Sequence, residues 1–316
     1  MFSAHLSLVN QPHLAMQNAG INHNDPVTVL GRISLYLGSI RIWESLFALP
    51  FAFIGMVLAS QTINGHPWPG WSAFIWINVA MFGARTLGMS ANRLVHARED
   101  AANPRTRDRH LPSGLLKSWE VAVMAGLGLA ILFVGASQLN VLALLLSPVA
   151  ASYVVFYSYA KYFTWLCNFC LGWALAIAPT AAWIGVTGQL SYEPLLISLA
   201  VAMWAGGFDL IYACPDFKFD REYGVKSVPS RIGIAETLWL ARTMHFLSLC
   251  ALLALGVLME LAWPYYIGWV IAVLLLIYEN AQVRPRDLSR IGAVFFRING
   301  YVSVQLMGFT ILALVI

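Results

Sequence analysis

Charge is what this chain has little of. Only 11% of its 316 residues are Asp, Glu, Lys or Arg, whereas a soluble domain carries about 25%. With 59% of the residues hydrophobic, too little polar surface remains to cover a water-soluble fold. No Gly-rich phosphate loop occurs, so a nucleotide-binding α/β fold has no support. The four cysteines all fall within apolar segments or at their ends. Cys167 and Cys170 stand in a C-x-x-C arrangement but lack a second pair, so packing is their expected role. The first 24 residues contain no Asp, Glu, Lys or Arg. They therefore have neither the basic start of a secretory signal nor the Arg content of a transit peptide, which favours a bacterial inner membrane.

Long apolar runs are abundant. About nine segments are each long enough to cross a hydrocarbon core of about 30 Å. They lie near 34–60, 71–95, 115–137, 140–160, 164–187, 194–213, 235–259, 264–281 and 292–315. The expected fold is an all-α polytopic membrane protein. Residues 1–32 are expected to form a polar N-terminal arm and 33–316 one membrane domain, because the connections are short.

Basic residues set the orientation. They gather around Arg93–Lys117, at Lys161, around Lys218–Arg242 and around Arg284–Arg297. The alternate loops 61–70, 138–140, 188–193 and 260–263 contain no Lys or Arg. The positive-inside rule then places the basic loops and the arm in the cytoplasm. Nucleic-acid binding is excluded, because these bases are interleaved with acids at a membrane edge instead of forming a basic face.

The acids that remain are patterned. Asp209, Tyr212, Asp216 and Asp220 close the sixth segment. On a continuous helix, Asp216 and Asp220 would point within roughly 20° of Asp209. Such a stripe would repel itself unless a cation sits on it, and ionisable groups at membrane depth are functional candidates. The second segment ends similarly, with Asn92, His96 and Asp100 in steps of four and Glu99 alongside. The two acidic ends are four helices apart, which suggests two similar four-helix halves, plus one helix, turned toward one cavity. Oxygen donors without a His/Cys cluster suit Mg²⁺, which is commonly shared between carboxylates and substrate phosphates. Arg105, Arg109, Lys161, Lys218, Arg221, Lys226 and Arg231 are near enough in sequence to grip the remaining phosphate oxygens. Arg85, about two turns deeper than Asn92 on the same face, needs an anion or an acid partner. It is included with the diphosphate-binding residues. Arg41 and Glu44 have the i, i+3 spacing of a helical ion pair.

These segments resemble the UbiA superfamily of intramembrane aromatic prenyltransferases, and most of all its 4-hydroxybenzoate polyprenyltransferase-type members. The first family motif, N-x-x-x-D-x-x-x-D, reads here as Asn92, His96 and Asp100. It is followed by Asn103-Pro104-Arg105-Thr106 and by Arg109-His110-Leu111-Pro112-Ser113-Gly114. The second motif, D-x-x-Y-x-x-x-D-x-x-x-D, is intact as Asp209, Tyr212, Asp216 and Asp220. Further likeness runs through 44–53, 84–93, 157–167 and 227–233, so that residues 33–316 are covered.

The resemblance implies nine helices around a central cavity, with two Mg²⁺ ions on a polyprenyl diphosphate and an aromatic acceptor in the same bilayer-embedded site. It implies Asn92, Asp100, Asp209, Asp216 and Asp220 as metal or metal-water ligands. It implies Arg105, Arg109, Lys161 and Lys226 as diphosphate-binding residues, and Tyr212 as a group steadying the diphosphate. Asp209, deepest on its stripe, is the candidate base for the ring proton.

Two positions depart from the family pattern. His96 replaces an aspartate, and Asn168 stands where a histidine is expected. At His96 three readings stay open: an imidazole metal ligand, replacement by Glu99 or Asp100, or a cationic contact to diphosphate. The same scaffold also admits a different acceptor, terpene cyclisation, or non-catalytic binding of a lipid diphosphate.

Overall fold

The computed structural model describes residues 29–289 and 291–316. Residues 1–28, most of the expected arm, lie outside the described residues, as does Arg290 of the last basic group.

Helix is the only regular structure among the described residues, apart from one isolated bridge between Arg284 and Asp287. In hydrocarbon a helix satisfies its own backbone polar groups without water. A short first helix, α1, covers Val29–Ser39, and α2 covers Ser45–Asn64. Then come α3 (Trp71–Val95), the short α4 (Ala97–Ala102), α5 (Ser118–Ser137), α6 (Val141–Phe163) and α7 (Cys167–Thr187). The second part of the chain forms α8 (Glu193–Ala213), the short α9 (Phe217–Tyr223) and α10 (Val228–Ile232), and the long α11 (Ile234–Leu258), α12 (Trp263–Ala281) and α13 (Ala293–Val315).

Nine of these helices have nineteen or more residues. Eight are apolar enough throughout to cross a membrane. The ninth is α3, which is long enough but carries Arg85 and Arg93. The outward side chains confirm the solvent: Leu127, Leu145, Val149, Phe246, Val257, Leu274 and Ile277 are exposed. Glu279, Asn299 and Ser248 are buried. This is an integral membrane protein, with its polarity turned inward.

The helices pack around a shared interior. α3 lies on α5 and α6, while α7 lies on α2 and α8. α8 continues onto α11, and α13 packs on α12 and returns to α2. Phe51, Trp204, Tyr265 and Leu306 fill the largest apolar core. Two contacts depend on glycine. A Cβ on Gly83 of α3 would stand 2.4 Å from Leu132 N of α5, and one on Gly172 of α7 would stand 2.3 Å from Ala202 O of α8. Backbones come this close in membranes because small residues replace the hydrophobic drive between helices.

Two expected continuous helices are broken. The segment 34–60 is not one span: α1 ends at Ser39, Arg41 takes φ 50°, and a 3₁₀ turn, Ile42–Glu44, leads into α2. Arg85 of α3 accounts for the break, since its Nε donates to Ile40 O (3.1 Å) and its Nη2 to Arg41 O (2.9 Å). The acidic stripe is likewise not one helix. α8 stops at Ala213, and a 3₁₀ turn, Cys214–Asp216, precedes α9. Pro215, which has no N–H to donate back into α8, lies inside that turn.

Because the Gly83 contact is backbone to backbone, Gly83→Val is expected to destabilise the protein by about 1–3 kcal/mol. Thermal unfolding in detergent should show a lower melting temperature, and an unchanged one would contradict the close α3–α5 approach.

Candidate active site

The two acidic ends meet. A polar cavity of ≈ 210 Å³ is lined by Asn92, His96, Glu99 and Asp100 from the α3–α4 corner and by Asp209, Tyr212, Asp216 and Asp220 from the α8–α9 corner. Arg105, Arg109 and Lys161 line the same space. The steps of four in the first corner survive the end of α3, because His96 N donates to Asn92 O (3.1 Å) and Asp100 N to His96 O (2.8 Å).

The loop that follows α4 supplies two of the cavity's cations, Arg105 and Arg109. Arg105 reaches Asp216, donating from Nε to Oδ1 at 2.8 Å and from Nη2 to Oδ2. Its Nη1 donates to Tyr212 Oη at 3.1 Å, and the guanidinium stands 5.0 Å from the Tyr212 ring centre. Asn103 holds this arrangement from both sides: its Nδ2 donates to Asp216 Oδ1 (3.1 Å), and its Oδ1 accepts from Arg105 N (2.9 Å). Burial works against the Arg105 cation, but the Asp216 carboxylate and Tyr212 hold its pKa above the usual arginine value. In the other corner, Arg109 Nη1 donates to both Asp100 oxygens, at 2.7 and 2.8 Å. Arg93 stands 3.9 Å from Asp100 and donates to Ser39 O (3.4 Å).

The remaining carboxylates have neutral partners. Asp209 Oδ2 accepts from Asn168 Nδ2 at 2.7 Å. Asp220 Oδ2 accepts from Ser227 Oγ at 2.6 Å. Lys161 forms no ion pair among the described residues. Burial first, and then the Lys161 ammonium, push the His96 imidazole down to about 4, so it is neutral at neutral pH.

Other basic residues go elsewhere. Arg85 does not line the cavity. Its guanidinium is committed to the two carbonyls of the first-helix break and to Glu44 Oε2 at 3.2 Å. Glu44 also accepts from Arg41 at 2.6 Å, so the expected Arg41–Glu44 pair forms, though across a turn and with Arg85 as a third member. The Lys226 ammonium donates to Phe163 O (3.3 Å) and is likewise outside the lining. Lys218, Arg221 and Arg231 do not line it either, and Arg221 lies over the Phe217 ring at 5.5 Å.

Several lining residues were not expected in the site from the sequence. Arg41 reaches the cavity because of the break before α2, and Arg93 because it sits one residue beyond Asn92. Asn103 and Ser227 lie in segments carrying the family likeness, but their pairing with Asp216 and Asp220 crosses chain distances that spacing cannot reveal. All four cysteines are free, and Cys167 lines the cavity.

Among the described residues no three Asp, Glu, His or Cys side chains converge into a ready-made metal cage. The donors are chiefly carboxylate and amide oxygens divided between two corners. Such a set fits a hard divalent cation whose coordination is completed by a ligand's own oxygens.

An inward-turned helical bundle with acids and arginines gathered at one end defines a membrane-embedded enzyme for a charged substrate. Residues 48–301 match the UbiA prenyltransferase family, and the chain belongs to that family. It is therefore a prenyltransferase. Over 269 residues it is 30% identical to the 4-hydroxybenzoate octaprenyltransferase of Cupriavidus necator, covering 84% of this chain and 93% of that one. It is 27% identical to the enzyme of the same name from Vibrio campbellii, over 88% of this chain and 93% of that one. Among solved structures, the apo UbiA homologue from Aeropyrum pernix K1 superposes with a TM-score of 0.77 at 28% identity, covering 86% and 98% of the two chains. A homologue from Archaeoglobus fulgidus, solved with GPP and Mg²⁺, shares the fold with a TM-score of 0.67 at 18% identity, covering 89% and 100%.

Arg85 and Glu44 belong to one network, so their substitutions should not add. Arg85→Lys loses the planar fork, and Glu44→Gln loses the carboxylate. Each should lower the melting temperature, and the double variant should lose less than the sum, by about 0.5–3 kcal/mol. Strict additivity would show that the break is held by other contacts.

Proposed function

We propose that the chain transfers a polyprenyl group from a polyprenyl diphosphate to an aromatic acid of the 4-hydroxybenzoate kind. The reaction would depend on Mg²⁺ and take place at the cytoplasmic side of a bacterial inner membrane. One observation carries this reading: two acidic corners and five cationic side chains, Arg41, Arg93, Arg105, Arg109 and Lys161, line a single cavity at one end of an apolar bundle. The names of the relatives supply the acceptor class, and the A. fulgidus homologue supplies the pairing of prenyl diphosphate with Mg²⁺.

Charge balance supports the same ligand. Arg105 neutralises Asp216, and Arg109 neutralises Asp100. A ligand carrying both signs, a divalent cation on a diphosphate, can exchange with these pairs without leaving a buried charge alone. The carboxylates would turn to the metal while the guanidiniums turned to phosphate oxygens. Asn92, Asp100, Asp209, Asp216 and Asp220 would hold the metal, and Arg105, Arg109 and Lys161 the diphosphate. Bound Mg²⁺ would supply neutralisation of the leaving group as its charge develops.

The protein's own groups do the rest. Arg105, Arg109 and Lys161 stabilise charge on the departing diphosphate as the allylic C–O bond breaks. Tyr212, beneath Arg105, keeps that guanidinium oriented. The allylic carbon bonds to a ring carbon of the acceptor, and the displaced ring proton passes to a carboxylate. Asp209, held by Asn168 at the inner side of the cavity, is suited to that role. The apolar lining (Met89, Leu171, Phe219 and Val225) limits water at the electron-poor carbon.

Purified protein given Mg²⁺, a polyprenyl diphosphate and 4-hydroxybenzoate should yield a ring-prenylated acid detectable by mass spectrometry. Asp216→Ala should reduce turnover by about 10²-fold or more, and EDTA should abolish it. Full activity in either case would refute the assignment.

A further inference from the structure

The first acidic corner is short of the carboxylate that the second has in full, yet it is not short of donors. His96 is 7% exposed and lines the cavity, and its Nε2 is buried with no hydrogen-bond partner. One helical turn on, Glu99 also lines the cavity, and its Oε2 is buried and unpartnered as well. We propose that His96 Nε2 and Glu99 Oε2 form a mixed nitrogen–oxygen position for a divalent cation, completed by diphosphate oxygens, and that this position prefers Mn²⁺-like ions to Mg²⁺. The inference rests on the metal–diphosphate reading of the same cavity.

Beside Asn92 and Asp100, which are already assigned to the metal, these two atoms are further donors on the cavity wall. Both Asp100 oxygens accept from Arg109. Glu99 Oε1 is 2.9 Å from Tyr162 Oη, which fixes the carboxylate and leaves only Oε2. The His96 ring packs against Tyr162, with centroids 5.7 Å apart. That contact restrains the imidazole, and a neutral imidazole carries a lone pair that can bind a metal. The Lys161 ammonium lines the same cavity but donates to neither orphan atom.

A simple packing role explains the pair poorly. A buried polar atom without a partner is costly, and two in one turn of chain, both on a cavity rich in oxygen donors, are suited to a cation. The chemistry also sets the choice of ion. Mg²⁺ demands oxygen ligands in near-ideal octahedral geometry, whereas imidazole raises the affinity of first-row transition ions.

The test uses the full-length protein with Mn²⁺ and inorganic diphosphate, read by pulsed electron paramagnetic resonance. Wild type should show ¹⁴N modulation from a directly bound imidazole. Labelling with ¹⁵N-histidine should replace that signal without any substitution, and His96→Asp should remove it. Glu99→Gln should weaken Mn²⁺ binding by about tenfold, and His96→Asp should shift the Mn²⁺/Mg²⁺ affinity ratio toward Mg²⁺ by a similar factor. Saturable Mn²⁺–diphosphate binding that Asp216→Ala abolishes, but without nitrogen modulation, overturns this inference and leaves the proposed function standing. Absence of any saturable binding overturns both.

Discussion

The pairing of Arg105 with Asp216 is the interaction on which the rest of the site depends. It joins the loop after the first acidic corner to the turn at the end of the second, across more than a hundred residues of chain. Asp216 is largely buried, and its charge is compensated by the partly exposed Arg105 guanidinium. Together they draw the two corners into one cavity, and Asn103 and Tyr212 fix the geometry on either side. Arg109 and Asp100 repeat the device in the first corner. Two carboxylates of the cavity are thus balanced by arginines, and these pairs can open to a ligand that brings the same charges in the opposite arrangement.

Breaks in the helices are the second requirement. A continuous first span would keep Arg41 on a lipid-facing or buried helix wall. The left-handed turn at Arg41, stabilised by Arg85 and Glu44, brings that side chain to the cavity instead. Pro215 does the same for the second acidic corner. It follows the end of α8, and Asp209, Asp216 and Asp220 each meet different partners while lining one space. Irregular backbone of this kind is tolerated at membrane depth where it lines a polar cavity.

Much of this was legible beforehand. Apart from the first, expected at 34–60 but found at Ser45–Asn64, the apolar runs located the long helices to within a few residues, and the acid spacing at 92–100 and 209–220 marked both corners. Arg105, Arg109 and Lys161 were placed by their nearness to those acids. Arg85 shows where that reasoning stops. Its position on the same face as Asn92 made it a candidate for the ligand, but an arginine two turns deeper reaches the neighbouring helix first. There it finds two free carbonyls and Glu44. Lys226 fails for a similar reason, since its flexible stem reaches the end of α6 before it reaches the cavity.

From its residues alone the chain determined that it must be helical, that it must face lipid, and where its few charges would gather. Those outcomes follow from local periodicity and from the cost of charge in hydrocarbon, both of which act within a single segment. The tertiary structure decided which opposite charges meet, where the two critical helices break, and that His96 and Glu99 leave unpaired atoms in the cavity. Such outcomes depend on distances between segments remote in the chain. Packing sets those distances: glycine contacts such as Gly83 on α5 and Gly172 on α8 bring the helices close enough for the loops at their ends to interlock.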